Sequence, residues 1–462
     1  MQSLRILTHR AHSDGAAEGS WSFVVPPILL AGLLVAGAAV PVAAQSDTEG
    51  AHRGPHVTSQ LTGSVATHDG GRLRLATQLG NVVIHTHDSG KIDYLAHLEA
   101  DGDSPAAREL LKQFRIYARE IPDGVYIKGL TGGQPCCGRL WVTITLNVPK
   151  DYSLDISTGG GNIETDDIDG RVSLYTAGGN ISAGNIGGAA RLVSESGGHI
   201  SVRNVAGDLT ADTGGGHITT GSVAGNATLR TAGGHIHVAS IEGIARLETG
   251  GGNITLQHSG AELTAETAGG QIEVGEAAGL VRAKTGGGGI RVVRLSGPTN
   301  LQTTGGSIYL TQVDSSVKAT ASAGGITAWF VAPPKGEGSC DLTSNDGDIV
   351  IYLPRMLPVT IDGQIQMGDD HRVIVDPAFP LKVSYDDSAN GERMVHVRGA
   401  LNGGGEVIHL RTVAGNIRLA LSDQNKQIQL YKEQMEQLQR QLQMQFRMLE
   451  QLQRAPQDAP QQ

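Results

Sequence analysis

The chain has 462 residues, 65 of them glycine, few aromatics and a formal net charge of −10. That length allows two or more domains, and the acidic balance without a polybasic run disfavours nucleic acid and anionic membrane surfaces as partners. Glycine is about twice as frequent as usual, and with so few aromatic rings this points to thin repeated units rather than a bulky core.

Residues 1–44 read as a signal peptide or membrane anchor. Arg5, His9 and Arg10 precede an apolar run from Phe23 to Val42, and Val42-Ala43-Ala44 before Gln45 fits a small-residue cleavage site. The favoured reading is a cleaved secretory signal. The other is an uncleaved transmembrane helix, since the run is long enough to span a bilayer. Either way the body is expected outside the cytoplasm, in the periplasm, outer membrane or cell surface of a bacterium.

Residues 45–56 form a flexible leader, and 57–150 an N-terminal β cap with one short helix. Strand patterns such as Val82-Val83-Ile84-His85 and Trp141-Val142-Thr143-Ile144-Thr145-Leu146 alternate with turns. The helix has Ser104 as N-cap, Pro105 at its first position, and Leu110, Leu111 and Phe114 as its apolar stripe.

From 151 to 331 the chain is periodic. Ile163, Ile181, Ile200, Ile218, Ile236, Ile254, Ile272, Ile290, Ile308 and Ile326 recur every 18 residues, with one step of 19 between Ile181 and Ile200. A glycine stands two residues before each, from Gly161 and Gly179 to Gly306 and Gly324. Threonine stands five before most of them: Thr158, Thr176, Thr213, Thr231, Thr249, Thr267, Thr285 and Thr303. Period-two alternation around the isoleucines means strand, and glycine corners argue against helix, where each would cost about 1 kcal/mol relative to alanine. The expected fold is all-β: a parallel β-solenoid with 18-residue rungs, capped at both ends, plus a C-terminal α-helix of coiled-coil type. Its cross-section is expected to be flattened and two-sided. No rung buries enough apolar surface to stand alone against about 1–2 kcal/mol of backbone ordering per residue, so neighbours must stabilise one another.

Residues 332–421 read as irregular rungs and a C-terminal cap. Residues 423–454 lose glycine and carry a heptad seam: Ile428, Tyr431, Met435, Leu438, Leu442, Leu449 and Leu452, with Gln445 in the gap. These seven are the candidate oligomerisation residues, giving a homo-oligomer; the other reading is an amphipathic helix lying on the body. The tail 455–462 reads as disordered. Cys136, Cys137 and Cys340 make no disulfide framework. One of the adjacent pair could bridge to Cys340, or the pair could bridge each other, but three cysteines without a catalytic role is the favoured reading.

The rungs, the Val148-Pro149 entry and the closing Leu401-Asn402-Gly403-Gly404-Gly405 and Gly415-Asn416-Ile417 resemble the bacterial putative-adhesin family of domains of unknown function, over roughly Val57 to Leu421. The resemblance implies an exported β-solenoid with no assigned catalytic residues. It does not extend to the glutamine-rich helix.

The polar columns are the candidate chemistry. His199, His217 and His235 occupy one position in successive rungs, close enough in a stack for a histidine metal site after modest rearrangement. Asn180 and Asn253 fill the same column, which favours a polar corner with no metal. The threonine column fits an ice- or glycan-binding face, or simply hydrogen bonds between rungs, and the second is favoured. Calcium would need an aspartate in each nine-residue unit, and Asp346-Gly347-Asp348 is a single occurrence. Asp166, Asp167 and Asp169 fall in one rung without carboxylates beside them in the next, which weighs against a carbohydrate-cleaving enzyme. The expectation is therefore an exported, non-enzymatic, adhesin-like solenoid that needs no cofactor and presents a repetitive face to a polymer or protein at the cell envelope. The alternatives are a periplasmic scaffold or envelope-stress component without an external ligand, and a polysaccharide-acting β-helix enzyme.

Overall fold

The computed structural model describes residues 56–132, 139–335, 340–366, 371–387 and 393–454. The export segment, the leader up to residue 55, Cys136, Cys137 and the tail 455–462 lie outside the described residues.

Parallel strands stack into two long sheets that share one core. Sheet 1 takes the isoleucine strands, including Ile218–Val223, Ile236–Ile241, Ile254–Ser259 and Ile272–Ala277. Sheet 2 takes the strands between them, including Ala227–Thr231, Ala245–Thr249 and Leu263–Thr267. Ile218 pairs with Ile236, Ile236 with Ile254, and Ile254 with Ile272, all parallel and in register. Alternation decides which side chains go in. Ile236, Val238 and Ile241 from sheet 1 meet Ala245 and Leu247 from sheet 2, and all five are fully buried.

The glycine column has two physical reasons. Gly161 and Gly179, in the first rungs, adopt φ of +127° and +154°, which L side chains rarely tolerate. Close approach acts along the whole column. A Cβ on Gly234, Gly252 or Gly270 would lie 2.0, 2.0 or 1.9 Å from the carbonyl oxygen of the glycine one rung earlier.

Both ends of the stack finish in antiparallel strands. At the start, Lys91–Asp101 pairs antiparallel with His56–Ala66 and with Leu140–Pro149 in sheet 1, and Phe114–Ile121 pairs antiparallel with Gly124–Thr131 in sheet 2. At the far end of sheet 2, Arg393–Leu401 pairs antiparallel with Val359–Ile365 on one side and with Lys382–Asp387 on the other. These caps interrupt the flat parallel ladder that would otherwise invite edge-to-edge pairing. Helix α1 (Pro105–Gln113) lies in the first cap. The Ser104 hydroxyl accepts the Ala107 N–H at 3.1 Å, and Leu110, Leu111 and Phe114 are buried. Cys340 is a free thiol in the core, and burial pushes its pKa up to about 11.

Helix α2 (Gln424–Arg454) follows the strand Ile417–Leu421 and folds back over the outward face of sheet 1. Its 31 residues span about 46 Å, several rungs of the rod. The Tyr431 hydroxyl donates to Glu276, and the Thr311 hydroxyl donates to Gln434 Oε1 at 2.7 Å. Leu438 sits over Gly275, where a Cβ would come within 3.0 Å of its Cδ2. The heptad spacing expected to face another helix is thus turned onto a sheet of the same chain at Tyr431, Leu438 and Leu442. The physical reason is that an i, i+3, i+4 apolar stripe serves any flat partner, and the sequence does not say which. The side chains of Ile428, Leu449 and Leu452 lie outside the described residues. Among the described residues, no helix is long and apolar enough to cross a membrane.

Candidate functional site

Two corner columns are consumed in holding the rungs together. Each threonine hydroxyl donates to the carbonyl of the glycine of the preceding rung: Thr213 to Gly198 at 2.7 Å, Thr231 to Gly216 at 2.8 Å, Thr249 to Gly234 at 2.8 Å and Thr267 to Gly252 at 2.9 Å. The same oxygen accepts the N–H of the glycine three residues on, as Thr249 does from Gly252 at 3.1 Å. Ser194 takes the column in the longer rung and bonds Gly179 at 2.8 Å. These hydroxyls are buried and doubly engaged, so the column is a ladder between rungs and its hydroxyls are not free to bond ice or glycan.

The histidines belong to a second ladder. The Asn180 Oδ1 accepts the His199 N–H at 2.8 Å. The His199 and His217 Nδ1 atoms accept the N–H of His217 and His235, each at 2.9 Å, and the His235 Nδ1 accepts that of Asn253 at 2.8 Å. Asn253 passes the pattern to Gln271 at 2.9 Å. Asparagine Oδ1 and histidine Nδ1 are interchangeable here because both place an acceptor at the same reach. The rings stack with centroids 4.9 and 4.8 Å apart. Stacked rings whose Nδ1 atoms already accept backbone N–H groups hold their remaining nitrogens side by side instead of converging on an ion. Among the described residues, no group of three or more His, Cys, Asp or Glu is arranged to hold a metal.

The carboxylates weighed in the sequence are also engaged. Asp166 Oδ2 lies 3.2 Å from His85 Nδ1 and accepts the Thr86 N–H at 3.3 Å. Asp167 accepts both the backbone and side-chain N–H of Asn185, at 2.7 and 3.0 Å, and the backbone bond above all holds its pKa down. Asp348 does the same for Asn416, at 2.7 and 3.0 Å.

Helix α2 covers part of sheet 1's outward face. Val293 and Thr311, which point away from the core, are 3% and 1% exposed because α2 lies on them. The helix in turn buries Leu438 and Leu442, a hydrophobic gain of about 3–6 kcal/mol before ordering is counted. Beside this contact is a polar cavity of about 240 Å³ lined by residues including His235, His237, Glu273, Gln441 and Met444. Burial pushes the Glu164 and Glu273 carboxyls up. Burial, with His235 and His217 next in order, pushes His237 down to about 4.

That shift fixes a pH dependence. The unfolded imidazole titrates near 6.5, so between pH 6.5 and about 4 the unfolded chain binds more protons, and stability is lost as the pH falls through that window. At about 1.4 kcal/mol per unit the limit for His237 is on the order of 3 kcal/mol. Glu164 and Glu273, pushed the other way, act in the opposite sense. Urea unfolding of the protein and of His237→Gln at pH 7 and pH 4.5 isolates the histidine: the variant should lose markedly less stability on acidification. Equal losses would contradict the assignment.

Sheet 2 is open. A groove of about 830 Å³ runs along its junction with the glycine corner, from Val193 to Gly286. Its floor is made of small residues and the threonine ladder: Gly214, Ala232, Gly250, Ala268 and Gly286 beside Thr213, Thr231, Thr249 and Thr267. One wall is a row of outward side chains, Asp212, Arg230, Glu248, Glu266 and Lys284, one from each successive strand. Arg230 Nε donates to Glu248 Oε2 at 3.0 Å. At about 4.8 Å per strand the groove is some 24 Å long. Column reading missed these residues because their charge changes sign along the row. The usable signal was position: they stand two residues before the small floor residue in every rung.

Residues 130–292 match the family described as Toastrack DUF4097. A putative cell adhesion protein from Clostridium sporogenes ATCC 15579 is a structural likeness at 7% identity and a TM-score of 0.19, covering 79% of this chain and 100% of that one. A putative adhesin from Bacteroides fragilis NCTC 9343 is another, at 12% identity and a TM-score of 0.25, covering 55% of this chain and 97% of that one. Likenesses of this size say nothing about function. No curated protein matches the chain. The match over residues 130–292 agrees with the resemblance carried by the rung motifs, to a family of domains of unknown function.

Proposed function

We propose that this chain is an exported, non-enzymatic binding module that presents the sheet 2 groove to an extended polymer at the bacterial cell envelope. The observation that carries the reading is the contrast between the two faces. Sheet 1 is crossed by α2, whereas sheet 2 offers a straight trough with a small-residue floor and a row of charged side chains, one from each successive strand, along one side. A trough with one repeated geometry per rung suits a ligand that also repeats, a polysaccharide strand or an extended polypeptide. Each rung contributes a weak contact and several together hold the chain. The engagement of Asp166, Asp167 and Asp348 in structural hydrogen bonds supports a binding role over hydrolysis. The export reading rests on Arg5, His9 and Arg10 before the apolar run.

The test is co-sedimentation with insoluble envelope polymers, cell-wall and capsular material in parallel. Ala232 and Ala268 are exposed on the groove floor, so Ala232→Trp with Ala268→Trp fills the trough without disturbing the core. The protein should pellet with at least one polymer, and the double variant, melting at the same temperature, should lose at least ten-fold in retention. Retention unchanged in the double variant would place the ligand elsewhere.

A further inference from the structure

The sheet 2 groove stops short of the first rungs. It begins at Val193 and Glu195, although the strands that build it continue back through Val172–Thr176 and Ser153–Thr158. Its start coincides with the one rung of 19 residues, between Ile181 and Ile200. The extra residue lies in the corner after Ser194, where Glu195-Ser196-Gly197-Gly198-His199 stands in place of a shorter corner such as Ala177-Gly178-Gly179-Asn180. Gly197 absorbs it at a φ of +106°. Ser196 folds back on the preceding rung, where its N–H and its hydroxyl both donate to the Ala177 carbonyl, at 3.0 and 2.5 Å. Glu195 stands in the floor column and puts a long side chain where Gly159, Ala177, Gly214 and Ala232 are small. Its carboxylate accepts the hydroxyl of Tyr175, the wall residue of the preceding strand, and that bond above all holds the phenol pKa up. Wall and floor are joined across the trough there, and Ser196 covers the Ala177 carbonyl behind the joint. At the other end the corner keeps its length, and the floor rises only by the side chain of Thr304. One end is closed and the other open.

Charge is also uneven along the trough. Two carboxylates, Glu195 and Asp212, stand at the closed end. Among the described residues Arg191, on the outer row of the Val193 strand, makes no ion pair with either. Midway, Arg230 and Glu248 satisfy each other at 3.0 Å, and at the open end Glu266 and Lys284 occupy adjacent strands. The excess of negative charge is therefore confined to the closed end. We infer that the trough receives the free end of its ligand, and that this end is the amino terminus of an extended polypeptide, its ammonium group held by Glu195 and Asp212 and its following residues laid along the floor toward Gly286. The inference rests on the groove being the binding site, and adds to it a direction and a ligand class. An ammonium group beside two carboxylates exchanges its water for charge-assisted hydrogen bonds. A neutral polysaccharide brings no charge to its end, and an acidic one brings the wrong sign. The groove has room for about seven extended residues at about 3.3 Å each. With the terminus seated against the stop, every later side chain meets a fixed rung.

Peptide retention on the immobilised full-length protein tests this. The probes are a randomised pool of peptides of that length with free amino termini and the same pool acetylated at the amino terminus, each labelled at its carboxyl end. The free pool should be retained about ten-fold better, because acetylation removes one hydrogen-bonded charge. The advantage should fade above about pH 8, where the α-amino group loses its proton. Glu195→Gln with Asp212→Asn, two exposed or half-buried positions, should erase it. Deletion of Ser196 together with Glu195→Ala continues the small floor over Ala177 and should let the acetylated pool bind as well as the free one. Equal retention of the two pools by the unaltered protein, or an advantage that survives Glu195→Gln with Asp212→Asn, would overturn the inference. If both pools are then lost in Ala232→Trp with Ala268→Trp, the groove stands as the binding site without end recognition; if neither is lost, the groove itself is the wrong site. Retention of a polysaccharide but of neither peptide pool would overturn the inference too.

Discussion

Gly252→Ala is expected to prevent the protein from folding stably, whereas Gly251→Ala, one residue away, should be nearly silent. A Cβ at Gly252 would fall 2.0 Å from the Gly234 carbonyl oxygen and 2.4 Å from its carbon. Both are backbone atoms of the adjoining rung, so no rotamer change relieves the clash. The rungs would have to separate by more than an ångström, breaking the parallel hydrogen bonds on either side. A cost of at least 4 kcal/mol is expected, at the extreme of single substitutions. At Gly251 nothing lies within 4 Å of the added methyl. Thermal unfolding of the pair, with soluble yield, checks this. Comparable melting of the two variants would mean that the rungs are not stacked at this spacing.

The second large effect is at Thr249. Thr249→Val keeps the shape and removes the hydroxyl that donates to the Gly234 carbonyl and accepts the Gly252 N–H. Both backbone groups lie in the buried seam between rungs and lose that partner at once. Unsatisfied buried groups cost about 1–3 kcal/mol each, so a loss of roughly 2–4 kcal/mol is expected. Thr249→Ser keeps the hydroxyl and should lose under half as much, as Ser194 already occupies the column in another rung. Chemical denaturation of the three proteins gives the comparison. A valine variant as stable as the serine variant would show that the ladder contributes nothing.

The ladder also explains how much of this molecule was legible beforehand. Isoleucine, glycine and threonine recur because each meets its own copy in the next rung, and repetition in space is repetition in sequence. Ser104 and Pro105 announce α1 by local chemistry that needs no tertiary context. The histidines were harder. His199, His217 and His235 look like ligands when the column is read as a list of side chains, but Asn180 and Asn253 in the same column carry the decisive information. What asparagine and histidine share is an acceptor that receives a backbone N–H one rung on. The placement of α2 was not legible, because Tyr431, Leu438 and Leu442 form a stripe that fits a helix or a sheet equally well. The notch at Gly275 that seats Leu438 has no signature of its own in a chain so rich in glycine. The groove was hidden for the opposite reason. Asp212, Arg230, Glu248, Glu266 and Lys284 share a position but not a chemistry, so no column of like residues draws attention to them.

The claim that a repeating ligand lies along the sheet 2 groove is tested most directly by ligand length. Soluble fragments of the retained polymer, graded from one repeating unit upward, are titrated against the protein by calorimetry. The account predicts that affinity climbs with each added unit and levels off once the fragment spans about 24 Å, the length of groove that five strand spacings provide. Affinity already at its full value for a single unit would contradict it, because the ligand would then occupy one pocket and the repetition of the rungs would play no part in binding.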